Sequence, residues 1–158
     1  MNQFSTFEEI KQLVNDTENI NNLNNFDNQS MLHLAVYYQN DLEIVQYLVE
    51  HGADVNVLNN SGVNPLYLAT HKYRTKECII DYLIEKGSNV NIKNKHGVST
   101  LMLAAKTFSL SCIEKLIQHG ADIYYHSPDG ISPVDIAIQH ERLDVAFFIT
   151  NLKFKLLD

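Results

Sequence analysis

The chain has 158 residues, 45% of them hydrophobic, and a formal net charge of −7. That length holds one domain with an ordinary core, and no apolar run reaches the ~18 residues of a membrane-spanning helix. The opening MNQFSTFEEIKQ is acidic and lacks an apolar signal core, so cytoplasmic residence is expected.

Residues 1–29 read as a half-repeat cap. Thr6 with Glu9, or Ser5 with Glu8, offers a capping box. Phe7, Ile10, Leu13 and Val14 form one apolar face, and Glu8, Glu9 and Asp16 face water. Residues 21–25, NNLNN, align with VLNN at 57–60 and NIKN at 91–94, which makes them a first projecting arm. Repeat one (30–61) supplies helices near 30–38 and 41–50. Repeat two (62–96) supplies 64–71 and 75–86, joined by the longer loop HKYRTK. Repeat three (97–129) supplies 99–107 and 110–119. The last unit (130–158) supplies 132–139 and about 142–151, followed by a capping tail.

The period carries this division. Gly52, Gly87 and Gly120 end apolar-periodic runs at spacings of 35 and 33 residues, and Gly62, Gly97 and Gly130 repeat the same spacings. Asn28 stands 34 residues before Gly62, in the same slot; the turn there needs positive φ, which asparagine tolerates best after glycine. A fixed period near 33 residues marks a stacked repeat rather than a single closed core. Ser30, Asn64, Ser99 and Ser132 are the expected N-caps of the first helices, with Pro65 and Pro133 in the first turn.

SMLHLAV at 30–36, NPLYLAT at 64–70, STLMLAA at 99–105 and SPVDIAI at 132–138, with GADVN-like pieces between them, resemble the ankyrin repeat family. The resemblance covers roughly residues 20–150 and implies an all-α solenoid. Each of its four or so repeats would hold two antiparallel helices and a β-hairpin-like finger. In size and acidity the chain looks like small stand-alone bacterial or viral members. Tyr67, Met102 and Asp135 replace the family's helix-starting histidine, kept as His33. The loop between paired helices is one residue longer in repeat one and two longer in repeat two.

Cys112 takes the buried slot of Ile44, and Cys78 the exposed slot of Glu43, so one core thiol and one surface thiol are expected rather than a disulfide. Phe147 falls in the solvent-facing slot of Gln46, Asp81 and Lys115. The tail, with Leu152, Phe154, Leu156 and Leu157, is expected to fold back over it.

Seven histidines invite a metal reading, but none pairs at i, i+4 and no CxxC is present. The resemblance implies that His33, in the family's helix-start slot, hydrogen-bonds backbone with its ring. His51 and His119 precede helix-ending glycines, where a cation suits the dipole. No serine lies in a GxSxG turn, and the turn glycines are single residues rather than a phosphate cradle. No catalytic residue, cofactor or metal is expected, and the chain is read as non-enzymatic.

Charge runs in blocks. Residues 1–54 hold nine acids and one base, 55–115 four and eight, 116–158 six and three, giving −8, +4 and −3. The middle bases Lys72, Arg74, Lys76, Lys93, Lys95 and Lys106 fall on one loop and its neighbouring finger and helix end. Acidic flanks disfavour nucleic acid and membrane surfaces, which want a continuous basic stripe. A protein partner with complementary charge blocks is expected, bound by a chain otherwise monomeric.

The resemblance implies contacts at finger tips and first-helix ends. Here these are Leu58, Asn60 and Val63, then Lys93, Lys95 and His96, then His126 and Asp129, with Tyr37, Tyr38, His71, Lys72, Lys106 and His140 at the helix ends. Tyr73 and Phe108 lie just beyond them. Exposed aromatics in such slots suit a binding hot spot. An inhibitor or immunity protein that blocks a toxin or enzyme is one expected role. A secreted effector or viral protein engaging host proteins is the alternative.

Overall fold

The computed structural model describes residues 7–16, 20–21, 27–72 and 75–155. Nine α-helices lie among them. They are α1 (Phe7–Asp16), α2 (Met31–Leu34), α3 (Leu42–Glu50), α4 (Pro65–His71), α5 (Glu77–Glu85), α6 (Thr100–Thr107), α7 (Leu110–Gln118), α8 (Pro133–Gln139) and α9 (Leu143–Lys155). A π-helical turn, Ala35–Gln39, continues α2.

The first helices start where side-chain acceptors stand. Ser30, Asn64, Ser99 and Ser132 accept the backbone N–H of His33, Tyr67, Met102 and Asp135, so all four expected N-caps are in place. Asp41 and Ser109 cap α3 and α7 in the same way. The second helices stop at Gly52, Gly87 and Gly120, each with φ between 84° and 92°. Beyond them Ala53, Ser88 and Ala121 donate back to the carbonyls of Leu48, Leu83 and Leu116 at 2.9–3.0 Å. His51 and His119 each donate a ring Nδ1–H to a last-turn carbonyl, Tyr47 at 2.8 Å and Lys115 at 2.9 Å. Asn28 takes φ 49°, as its slot requires.

Helices α2, α4, α6 and α8 stack as one layer, and α1, α3, α5, α7 and α9 as the other. One continuous core runs between the layers, from Ile10 and Leu32 through Leu66, Ile80 and Leu101 to Ile149. The alanines at 35, 69, 104 and 137 are buried within it, where small side chains let first helices approach. At the N-terminal end α1 packs on α3 and so fills the second-helix place of a half-repeat. Ile10 is buried, Val14 packs on the core, and Glu8 and Glu9 are exposed. The capping boxes at residues 5–9, the side chains of Phe7, Leu13 and Asp16, and residues 22–25 lie outside the described residues.

A ladder of asparagines fastens one repeat to the next. Asn21 donates to the Gly52 carbonyl at 3.0 Å and accepts from Asp54 N–H at 2.7 Å. Asn56 does the same with Gly87 and Asn89, and Asn91 with Gly120 and Asp122. The described fingers are turns rather than β-hairpins. One isolated bridge, Lys93 with Ser99, is the strand-like pairing among the described residues. The reason is local: the Asn59 side chain takes the N–H groups of Ser61 and Val63, and Asn94 takes those of His96 and Val98.

The two length irregularities resolve differently. The extra residue of repeat one is absorbed by the π turn, which closes at Asn40 with φ 51°. The longer loop of repeat two leaves α4 at Lys72 and re-enters at Lys76, whose N–H is held by the Asn40 side chain at 2.9 Å.

The tail corrects the expectation. It extends α9 to Lys155 instead of folding back over Phe147. Leu152 packs on the core, but Phe147 is 71% and Phe154 65% exposed. Residues seven apart on a helix share a face, so Phe154 lies along the stripe of Phe147 and cannot cover it. The buried pairs Ile79–Ile80, Cys112–Ile113 and Val145–Ala146 set the register, which puts Phe147 level with Asp81 and Glu114, not Lys115. Leu156 and Leu157 lie outside the described residues.

Candidate binding face

The ends of the first helices make a row across the repeats. The π turn at the end of the first one displays Tyr37 and Tyr38, exposed, with rings edge to face at 4.9 Å. Turns of this kind re-aim side chains and are frequent at functional sites. Lys72 reaches back from repeat two, donating to the Tyr37 carbonyl with its ammonium 4.9 Å from the ring centre. His71 and Lys106, exposed at the next two helix ends, line a shared hollow of about 330 Å³ with Thr70, Leu103 and Thr107. His140 continues the row, exposed at the C-cap of α8.

The finger residues Leu58, Asn60, Lys93, Lys95, His96, His126 and Asp129 are also exposed. Two of the expected contacts are not available. Val63 is 2% exposed, because its carbonyl is tied to His33 and its N–H to Asn59. Phe108 is 4% exposed and belongs to the core; its carbonyl accepts from Arg142 at 2.7 Å. Tyr73 and Arg74 lie outside the described residues.

Tyr125 was not among the expected contacts. Its hydroxyl donates to the Gly97 carbonyl at 2.8 Å, and Lys93 Nζ stands 3.9 Å from its ring centre. The finger of repeat three is thereby braced on the next one. The paired tyrosines at 124–125 were the available signal, one residue past the GADI segment. A second hollow of about 380 Å³, on the second-helix layer, is lined by Lys11, Glu43, Gln46, Tyr47 and Glu50.

Burial first, then Glu77 and Asp81, push the Cys112 thiol up to about 12, which marks a packing residue rather than a nucleophile. Cys78 is exposed, as its slot requires. Among the described residues no three His, Cys, Asp or Glu side chains group as metal ligands, and no helix is long and apolar enough to cross a membrane.

A family model described as ankyrin repeats (three copies) matches residues 2–94, and a second, ankyrin repeats (many copies), matches 83–137. The chain belongs to the ankyrin-repeat family. Ankyrin repeats are protein–protein interaction modules, which agrees with a surface of aromatic and charged side chains on a preformed frame. No curated protein matches this ankyrin-repeat chain.

Proposed function

We propose that the chain binds a partner protein along the row of first-helix ends and the adjoining finger tips. The face comprises Tyr37, Tyr38, His71, Lys72, Lys106 and His140, with Leu58, Asn60, Lys93, Lys95, His96, His126 and Asp129. The observation that carries this reading is the exposed Tyr37–Tyr38 pair on a π turn, flanked by the His71–Lys106 hollow. Aromatic anchors beside cationic groups are the usual composition of a binding hot spot.

Charge suits a partner with complementary blocks. Lys93, Lys95 and Lys106 of the basic middle segment are exposed on this face, while Glu43 and Glu50 of the acidic first segment are exposed on α3 in the other layer. A net charge of −7 suits occlusion of a basic active site, the task of an inhibitor or immunity protein against a toxin or enzyme. A toxin gene next to this one would support that role, and expression during infection with capture of a host protein would favour an effector instead.

Affinity capture from native lysate with mass spectrometry identifies the partner, and titration calorimetry then tests the face. Tyr37→Ala combined with Lys93→Glu is expected to weaken the complex by at least ~2 kcal/mol. Unchanged affinity in the double variant would place the partner elsewhere.

A further inference from the structure

Interior repeats show what each flank of a repeat touches. On α5, Glu77 accepts the N–H and the Oγ–H of Ser109 in repeat three, at 2.7 and 2.6 Å, and Asp81 pairs with Lys115. Ile84, on the same stripe of that helix, is 2% exposed. Counted forward by the repeat, the position of Glu77 becomes Leu143 in α9, as it is Leu42 and Leu110 in the other two repeats, and that of Asp81, which is Gln46 and Glu114 there, becomes Phe147. Leu143 and Phe147 are 67% and 71% exposed. On α8, Ile138 occupies the position of Thr70 and Ala105. Those two are covered by the following repeat, whereas Ile138 is 55% exposed. Tyr124 replaces the ladder asparagines Asn56 and Asn91 and is 48% exposed. The flank of the last repeat is therefore a stacking surface on which Phe147 and Tyr124 replace residues that are polar in the earlier repeats, while Leu143 and Ile138 lie uncovered. A solenoid end that meets only water carries polar residues instead, as α1 does with Glu8 and Glu9.

We propose that this end docks on the same end of a second copy of the chain, tail to tail. Three features select that occupant. Leu143, Phe147 and Phe154 form one stripe along α9, so two copies related by a twofold axis can lay stripe against stripe. The rim carries both signs, Arg142, Lys153 and Lys155 beside Glu141 and Asp144, so the surface can pair with itself. The strongly acidic segment 1–54, at −8, is then held at the two far ends. Head-to-tail stacking would instead press that segment against a C-terminal part that is itself at −3, and would leave an open chain of copies. With an aromatic side chain burying up to ~150–250 Å², the five exposed residues offer about 600 Å², near the ~800 Å² each partner gives to a stable interface.

Sedimentation velocity of the full chain across the micromolar range tests this. The wild type is expected to pass from monomer to dimer and stop there. The Leu143→Glu, Phe147→Glu pair is expected to weaken association by more than about tenfold, with its melting curve as the check that the monomer still folds. In a Cys78→Ser background, Phe147→Cys is expected to give a disulfide-linked dimer on mild oxidation. A wild type that stays monomeric, a dimer indifferent to the double substitution, or species growing beyond the dimer would each overturn the proposal.

Discussion

His33 fastens two repeats with one ring. Its Nδ1 accepts from Ser30 N–H at 3.2 Å and meets Ser30 Oγ at 2.9 Å, so Nε2 carries the proton and donates to the Val63 carbonyl at 3.0 Å. The other three repeats do without it. Asp135 accepts both Ser132 donors through Oδ2, and Met102 offers its sulfur to Ser99 N–H at 3.5 Å. Tyr67 is buried with its phenol pushed up to about 12 by desolvation. Burial also lowers the His33 pKa from its ordinary 6.5, against the raising effect of the Val63 carbonyl. The folded state thus favours the neutral ring, and the unfolded chain takes up the proton first. Stability from this group is complete above pH 6.5 and is lost as pH falls from there toward the lower folded value. His33→Gln keeps a donor for Val63 but does not titrate. It is expected to cost about 1–3 kcal/mol at mildly alkaline pH, with the gap to wild type closing under mildly acidic conditions. Urea titrations of both proteins at a series of pH values measure the gap; a gap constant with pH would rule out the buried-neutral assignment.

At the scale of the element, glycines in one repeated slot are not equivalent. Gly62 and Gly97 both sit in the finger turn, with φ of 72° and 75°. A Cβ at Gly62 would meet nothing within 4 Å, whereas one at Gly97 would fall 2.3 Å from Pro128 Cδ. Gly62→Ala is therefore expected to cost only the left-handed backbone term, about 1–2 kcal/mol. Gly97→Ala is expected to cost more, because Pro128 must move and the Tyr125–Gly97 bond with it. Thermal melts of the two variants check the order, and equal losses would mean that the Pro128 contact yields freely. Helix positions were legible because each boundary has its own residue: Ser30, Asn64, Ser99 and Ser132 at the starts, and Gly52, Gly87 and Gly120 at the ends. What local pattern could not show was where extra length goes. The π turn at Tyr37 depends on Asn40 closing it and reaching Lys76, a contact between repeats. Phe108 read as exposed because its burial depends on contacts distant in sequence: it joins the core, and its carbonyl is held by Arg142, 34 residues away. The straight run of α9 through Phe154 had no stop signal to contradict it, yet exposed phenylalanines suggested a fold-back that the helix does not make.

For the whole molecule, stacking in two layers means that each repeat is stabilised mainly by its own core and its neighbours. Contacts run α3 to α5, α5 to α7 and α7 to α9, so a loss in one repeat should be felt most strongly next door. Cys112 is a natural reporter: it is 1% exposed in α7, with its thiol pushed up to about 12. Cys78, exposed on α5, should react with a thiol reagent at once, and Cys112 only when repeat three opens. Leu83 in α5 and Leu48 in α3 are both essentially buried, at 0% and 1%. Replacing either by alanine should cost ~2–5 kcal/mol locally. Leu83→Ala, one repeat from Cys112, is expected to speed its labelling far more than Leu48→Ala, two repeats away. If the fold instead opens as one unit, the two variants will accelerate labelling in proportion to their global stability losses alone. Labelling rates compared with urea midpoints separate these cases. Neighbour-limited opening would also let the first-helix face adjust to a partner at one repeat while the others stay closed.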